Sequence, residues 1–244
     1  MTTELPESGG AAGRPGRFRV LGILLIGITA LVIAIIGMST REPSNEFRGV
    51  EGANDAQRIF GGVFQLGERL GAGNSPVQVQ IFTDVQAAGF SDWFLDVVPA
   101  LTEGPVRAGD VQLLLRNRSL TRNPTELSFF GIEAAAEQDY AWNYAYLVVR
   151  NLDLAREVGL DAEYLEDIAE SIDGIDLAVW KQDYERSLEP DSEVTKRLEE
   201  QDQLAIDLEL RAQPALVVTG PGGTEILQDA PDLAAIRAAI ADVG

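Results

Sequence analysis

Val77-Gln-Val-Gln-Ile-Phe-Thr-Asp-Val-Gln-Ala-Ala-Gly-Phe90 is the stretch on which the fold turns. Val77, Val79 and Ile81 alternate with Gln78 and Gln80, the period of two expected of a strand with one face more buried than the other. Ser91 then stands where a helix cap is expected, and Phe94, Val97, Val98 and Leu101 recur at helical spacing up to Gly104-Pro105. Pro99 falls inside that pattern and predicts a kink or an early end. Val111 to Leu115 is a second, continuously apolar strand. Strand, helix and strand over about 40 residues make a βαβ unit with parallel strands.

Downstream, Pro124 to Trp180 reads as mostly helical. Ile132, Ala135, Ala136, Tyr140, Tyr144 and Val148 form one pattern, and Asp161 caps another that carries Tyr164, Leu165, Ile168 and Ile172 and stops at Gly174. A further helix starts at Asp191 or Ser192, with Val194, Leu198, Gln201, Ala205 and Leu208 on one stripe. Its acidic residues Glu199, Glu200 and Asp202 read as a solvated face rather than a cation site. Ala215 to Thr219 and Glu225 to Leu227 form a hairpin across Gly220-Pro221-Gly222-Gly223. That glycine cluster is no phosphate loop, because a strand follows where a helix N-terminus would be needed. Asp229 is expected to cap the last helix, with Pro231 in its first turn and Leu233, Ile236 and Ile240 facing inward.

The N-terminal quarter differs in kind. Val20 to Met38 runs 19 residues without a charge, which at about 1.5 Å per residue spans roughly 28 Å, the thickness of a bilayer's hydrocarbon core. Arg14, Arg17 and Arg19 precede it, so the positive-inside bias puts the N-terminus in the cytoplasm and the rest outside. A cleaved signal peptide is the competing reading, but the run exceeds the roughly 7 to 15 residues of a signal core. The expected organisation is a cytoplasmic tail over 1–19, a transmembrane anchor over 20–38, a linker over 39–59, and a folded domain over 60–244. Residues Asp55 to Gly73, with five glycines, are expected to lie along the edge of that domain.

Composition removes several kinds of chemistry. The chain of 244 residues has 19 basic against 39 acidic residues, a formal charge of -20. Without the three arginines and two glutamates of the tail, the remainder has 16 basic and 37 acidic residues and a charge of -21. A nucleic-acid partner would be repelled. There is no cysteine, which excludes disulfides, thiolate catalysis and zinc–thiolate sites, and no histidine, the commonest metal ligand and general base. No metal and no cofactor is expected.

The order strand, helix, strand, helical insertion, helix, strand, strand, helix resembles the thioredoxin-fold domain of the DsbA-like family, over about 60–243. Local stretches resemble it too: Gly71 to Asp84 at the entry to the first strand, Glu133-Ala-Ala-Ala-Glu-Gln138 through Trp142, and Gly174-Ile-Asp-Leu-Ala-Val-Trp180 in the insertion. The expected fold class is therefore α/β and thioredoxin-like, with a helical insertion at about 124–190, preceded by one transmembrane helix. The resemblance places Ala87 and Phe90 where the family has its two cysteines, with Ala88 and Gly89 between them, and Gln213-Pro214 where its cis-proline loop lies. It implies a redox frame without redox atoms.

On that resemblance, Ala87, Ala88, Gly89, Phe90, Gln213 and Pro214 border a peptide-binding groove kept without its chemistry. The plainer reading is that Phe90, Trp93 and Phe94 fill the core beside a dead site. The expected function is a single-pass, extracytoplasmic thioredoxin-like protein that binds a polypeptide or an envelope oxidoreductase partner, with no catalytic residue. Two other classes stay open. A glutathione-transferase-like or other non-thiol enzyme would have to use Thr83 or Ser91, with no histidine to activate either. A structural envelope component would need no groove.

Overall fold

The computed structural model describes residues 49–85, 90–117, 127–153 and 161–244. The apolar run 20–38 lies outside them. Among the described residues no helix is long and apolar enough to cross a membrane.

Six strands form one sheet: β1 (Gln65–Leu66), β2 (Arg69–Leu70), β3 (Val77–Thr83), β4 (Val111–Asn117), β5 (Ala215–Gly220) and β6 (Gly223–Leu227). Their order is β1-β2-β4-β3-β5-β6. As the βαβ pattern predicts, β3 and β4 are parallel, in register from Val77 with Val111 to Thr83 with Asn117. On the other side of β3, β5 runs antiparallel, with Phe82 opposite Ala215, and the glycine turn closes the predicted hairpin between β5 and β6.

Alternation along β3 sorts its side chains between two faces. Val77, Val79 and Ile81 join Phe94, Val98, Leu101 and Leu216 in the main core. Phe82 points the other way, into a smaller cluster with Ala205, Leu210, Ala215 and Val217. The glutamines between are the rungs of this second face: Gln80 Oε1 accepts from Arg116 Nε at 2.9 Å, and that arginine pairs with Glu68 at 3.1 Å. A polar position on a half-buried strand is thereby satisfied instead of buried bare.

The helices are α1 (Ala53–Phe60), α2 (Phe90–Leu101), α3 (Leu127–Ala136), α4 (Ala141–Arg150), α5 (Ala162–Glu170), α6 (Leu177–Ser187), α7 (Glu193–Asp207) and α8 (Leu233–Val243). Asp161 and Ser192 cap α5 and α7 as their sequences predict, accepting from the N–H of Tyr164 and of Thr195. Within the insertion, the Tyr144 hydroxyl donates to Leu165 O at 2.9 Å and Trp180 Nε1 to Gly131 O at 3.1 Å. Trp180 stacks between Tyr144 and Tyr184, with ring centroids 5.7 and 5.0 Å away.

Five expectations need correction. The linker read over 39–59 ends in α1, whose Ala56, Ile59 and Phe60 are buried, so the folded domain starts before residue 60, in keeping with the edge segment expected from Asp55 onward. Ser91 is the second residue of α2, not its cap. Pro99 does not end that helix, which runs to Leu101, the Thr102 hydroxyl donating to Val98 O; the helical backbone breaks instead at Gly104, at φ -99° and ψ -106°. The single pattern from Ile132 to Val148 is two helices, broken where Asp139 takes a φ of +66°. Lastly, Asp229 lies in a turn at φ +65° and Asp232 caps α8, its Oδ1 accepting from Ala235 N at 2.8 Å, which leaves Pro231 ahead of the cap.

Candidate functional site

The site expected from sequence lies where the C-terminal end of β3 meets the loop entering β5. Ala87, Ala88 and Gly89 fall outside the described residues; Phe90, Gln213 and Pro214 fall within them. The Gln213–Pro214 peptide bond is cis. Gln213 is half-buried, and its Oε1 accepts the backbone N–H of Asp84 at 3.0 Å. One residue past β3 is thus fastened to the proline loop. Pro214 itself is buried, and its carbonyl accepts from Ala230 N at 3.2 Å.

Phe90 opens α2 and is 2% exposed. Its ring lies 5.7 Å from Trp93 and 5.2 Å from Phe94, and Phe94 stacks on Trp142 of the insertion at 6.5 Å. Phe90 therefore packs inward, while Gln213 is the one of the three described site residues that keeps some solvent access. Trp93 is the contact that sequence reasoning left unpaired: its Nε1 donates to Pro231 O at 2.7 Å, joining α2 to the approach to α8. A partly buried tryptophan in a first helical turn signals a buried acceptor somewhere, but nothing local names Pro231.

The chain has no thiol to attack a disulfide and no imidazole to take a proton. Thr83 is fully buried, and its hydroxyl has no hydrogen-bond partner among the described residues, so no base addresses it there. Among those residues no cluster of three or more acidic side chains is arranged to hold a metal ion. What remains is backbone and amide hydrogen bonding around the cis-proline loop.

A parallel β3–α2–β4 unit, the helices α3 to α6 that follow it, an antiparallel β5–β6 hairpin and a cis proline before β5 together define the architecture. The fold is that of the DsbA-like thioredoxin proteins. Alpha-DsbA1 of Wolbachia pipientis superposes with a TM-score of 0.57 at 18% identity, over 72% of this chain and 89% of that one. BdbD of Bacillus subtilis gives 0.56 at 18% identity, over 73% and 95%. The thiol-disulfide exchange protein alpha-DsbA2 of Wolbachia pipientis gives 0.55 at 17% identity, over 79% and 94%. No family model and no curated protein matches the chain. This chain has the DsbA-like frame and no cysteine.

Proposed function

We propose that this chain is a membrane-tethered, extracytoplasmic DsbA-like protein that binds a polypeptide, or an oxidoreductase partner, without thiol–disulfide turnover. The observation that carries the proposal is the Asp84–Gln213 hydrogen bond beside a cis proline: the loop that frames the family's site is held against β3 although the chain lacks any thiol. Such a loop offers backbone groups to an extended peptide, the mode in which main-chain pairing supplies affinity and side-chain pockets supply choice. The 19-residue apolar run with three arginines before it supports the tether and its orientation.

The test uses the full-length chain in detergent, titrated with unfolded peptides and with envelope oxidoreductases. Saturable binding that Ala88→Asp or Gln213→Ala weakens supports the proposal. Binding that is absent, or indifferent to both substitutions, defeats it. In an insulin-reduction assay the chain is expected to leave the uncatalysed rate unchanged.

A further inference from the structure

The cis proline is linked to two further elements. Ala230 N donates to Pro214 O at 3.2 Å, and the carbonyl of the next residue, Pro231, accepts from Trp93 Nε1 at 2.7 Å. The turn between β6 and α8 therefore bridges the proline loop and the first turn of α2. Trp93 is half-buried: the hydrogen bond fixes one edge of its indole, and part of the ring stays open to solvent.

The residues on either side of that ring carry one sign of charge. Asp92 precedes Trp93 on α2 and Asp96 follows it by three residues, while Asp229 and Asp232 flank Ala230 and Pro231 in the turn. All four are exposed, and none forms an ion pair among the described residues. The cations of this end of the sheet are already engaged: Arg211, in the loop before Pro214, pairs with Glu209 at 3.4 Å, and Arg116, near the end of β4, with Glu68 at 3.1 Å. Arg237, five residues past Asp232 on α8, forms no ion pair among the described residues.

Water alone satisfies exposed carboxylates, so their number selects nothing; their placement does. A segment seated against the proline loop must lie beside this rim. Consecutive Cα atoms are only about 3.8 Å apart, well inside the roughly 8 Å over which physiological salt screens a charge. An acidic segment is repelled there and a neutral one gains nothing from the four charges. A lysine or arginine gains from the carboxylates and, over the open face of Trp93, from the ring quadrupole as well. Given the polypeptide-binding reading of this loop, on which the inference rests, we propose that the bound segment is cationic: an extended stretch of a partner polypeptide whose lysine or arginine lies over Trp93, between the carboxylates of α2 and those of the β6–α8 turn.

The experiment is fluorescence anisotropy on the full-length chain in an uncharged detergent. Its probes are three labelled unfolded peptides of equal length and apolar content, whose polar positions are lysine and arginine, neutral residues, or aspartate and glutamate. At about 20 mM salt the cationic peptide is expected to bind about tenfold tighter than the neutral one and the acidic peptide more weakly still; at about 500 mM salt the gap should shrink to about threefold or less. Asp92→Asn with Asp229→Asn removes one carboxylate on each side of Trp93, and asparagine tolerates the left-handed backbone at 229. That pair is expected to cut the cationic advantage about threefold. Asp110→Asn with Asp242→Asn removes the same charge at the other end of the sheet, before β4 and beside the β5–β6 turn, and should leave the advantage unchanged. A charge order that is missing or reversed, or that both double variants weaken equally, overturns the cationic assignment while peptide binding stands. No binding of any of the three peptides overturns the polypeptide-binding reading and this assignment together.

Discussion

Asp84 donates its backbone N–H to the side-chain oxygen of Gln213 at 3.0 Å, across 129 residues of sequence. That bond ties the end of a central strand to the loop before its antiparallel neighbour. It holds the proline loop against the C-terminal end of β3.

Replacing Gln213 with alanine leaves the Asp84 N–H without that acceptor in a half-buried place. A loss of about 1 kcal/mol is expected, as for one hydrogen bond of this kind. Urea denaturation followed by tryptophan fluorescence measures it; an unchanged midpoint would mean that water replaces the amide at no cost.

Glu133 of α3 is buried, with a side chain 4% exposed, and pairs with Arg197 of α7 at 2.6 Å. Arg197→Met strips that partner from a buried carboxylate and is expected to cost about 2 to 3 kcal/mol, less than for a fully buried pair because the guanidinium is one-third exposed. Adding Glu133→Gln should recover most of the loss. A double mutant no more stable than the single one would show that the charge of Glu133 is held by other groups.

Burial pushes the Tyr184 hydroxyl up to about 12, and burial likewise raises Tyr144 and Tyr146. A tyrosine in the unfolded chain ionises near pH 10, so between about pH 10 and 12 the unfolded state loses protons that the folded state keeps. Stability should be complete below pH 10 and fall as the pH rises through that window. Tyr184→Phe should flatten the fall, and it also removes a buried hydroxyl that has no partner. Thermal melts at pH 9, 10 and 11 on both chains decide this.

Gly131 lies where an added Cβ would meet the Tyr144 hydroxyl at 2.5 Å, and its carbonyl accepts from Trp180. Gly131→Ala must push apart the stack of Tyr144 and Trp180, at a cost of about 1 to 3 kcal/mol. The near-ultraviolet circular dichroism of the aromatic stack should weaken along with the melting temperature; a native spectrum would refute the close contact.

Much of this structure was legible in one dimension. The alternation at Val77 to Ile81 marked β3, the glycine cluster at 220–223 marked the β5–β6 hairpin, and Asp161 and Ser192 capped their helices, because each signal is carried by neighbours within four residues. Absence of cysteine needed no structure at all to exclude thiol chemistry. The cap of α8 was misplaced by three residues, since Asp229 and Asp232 are chemically alike and only the backbone, left-handed at Asp229 and extended at Asp232, tells them apart.

The tertiary structure decided what depends on distant partners. Phe90 reads equally as a groove residue or a core residue until its contacts with Trp93 and Phe94 are seen. That the apolar positions of α1 lie on the domain was legible, but the surface they cover was not, because it belongs to α4, some ninety residues on, as Phe60 against Tyr146 shows. Asn143 is one polar letter in an apolar run; its burial, and the hydrogen bond it accepts from Gln65 across 78 residues, exist only in the packed fold. Local periodicity dictates which segments become strands and helices. Which groups end up buried together, and hence which are left wanting a partner, is set by long-range packing.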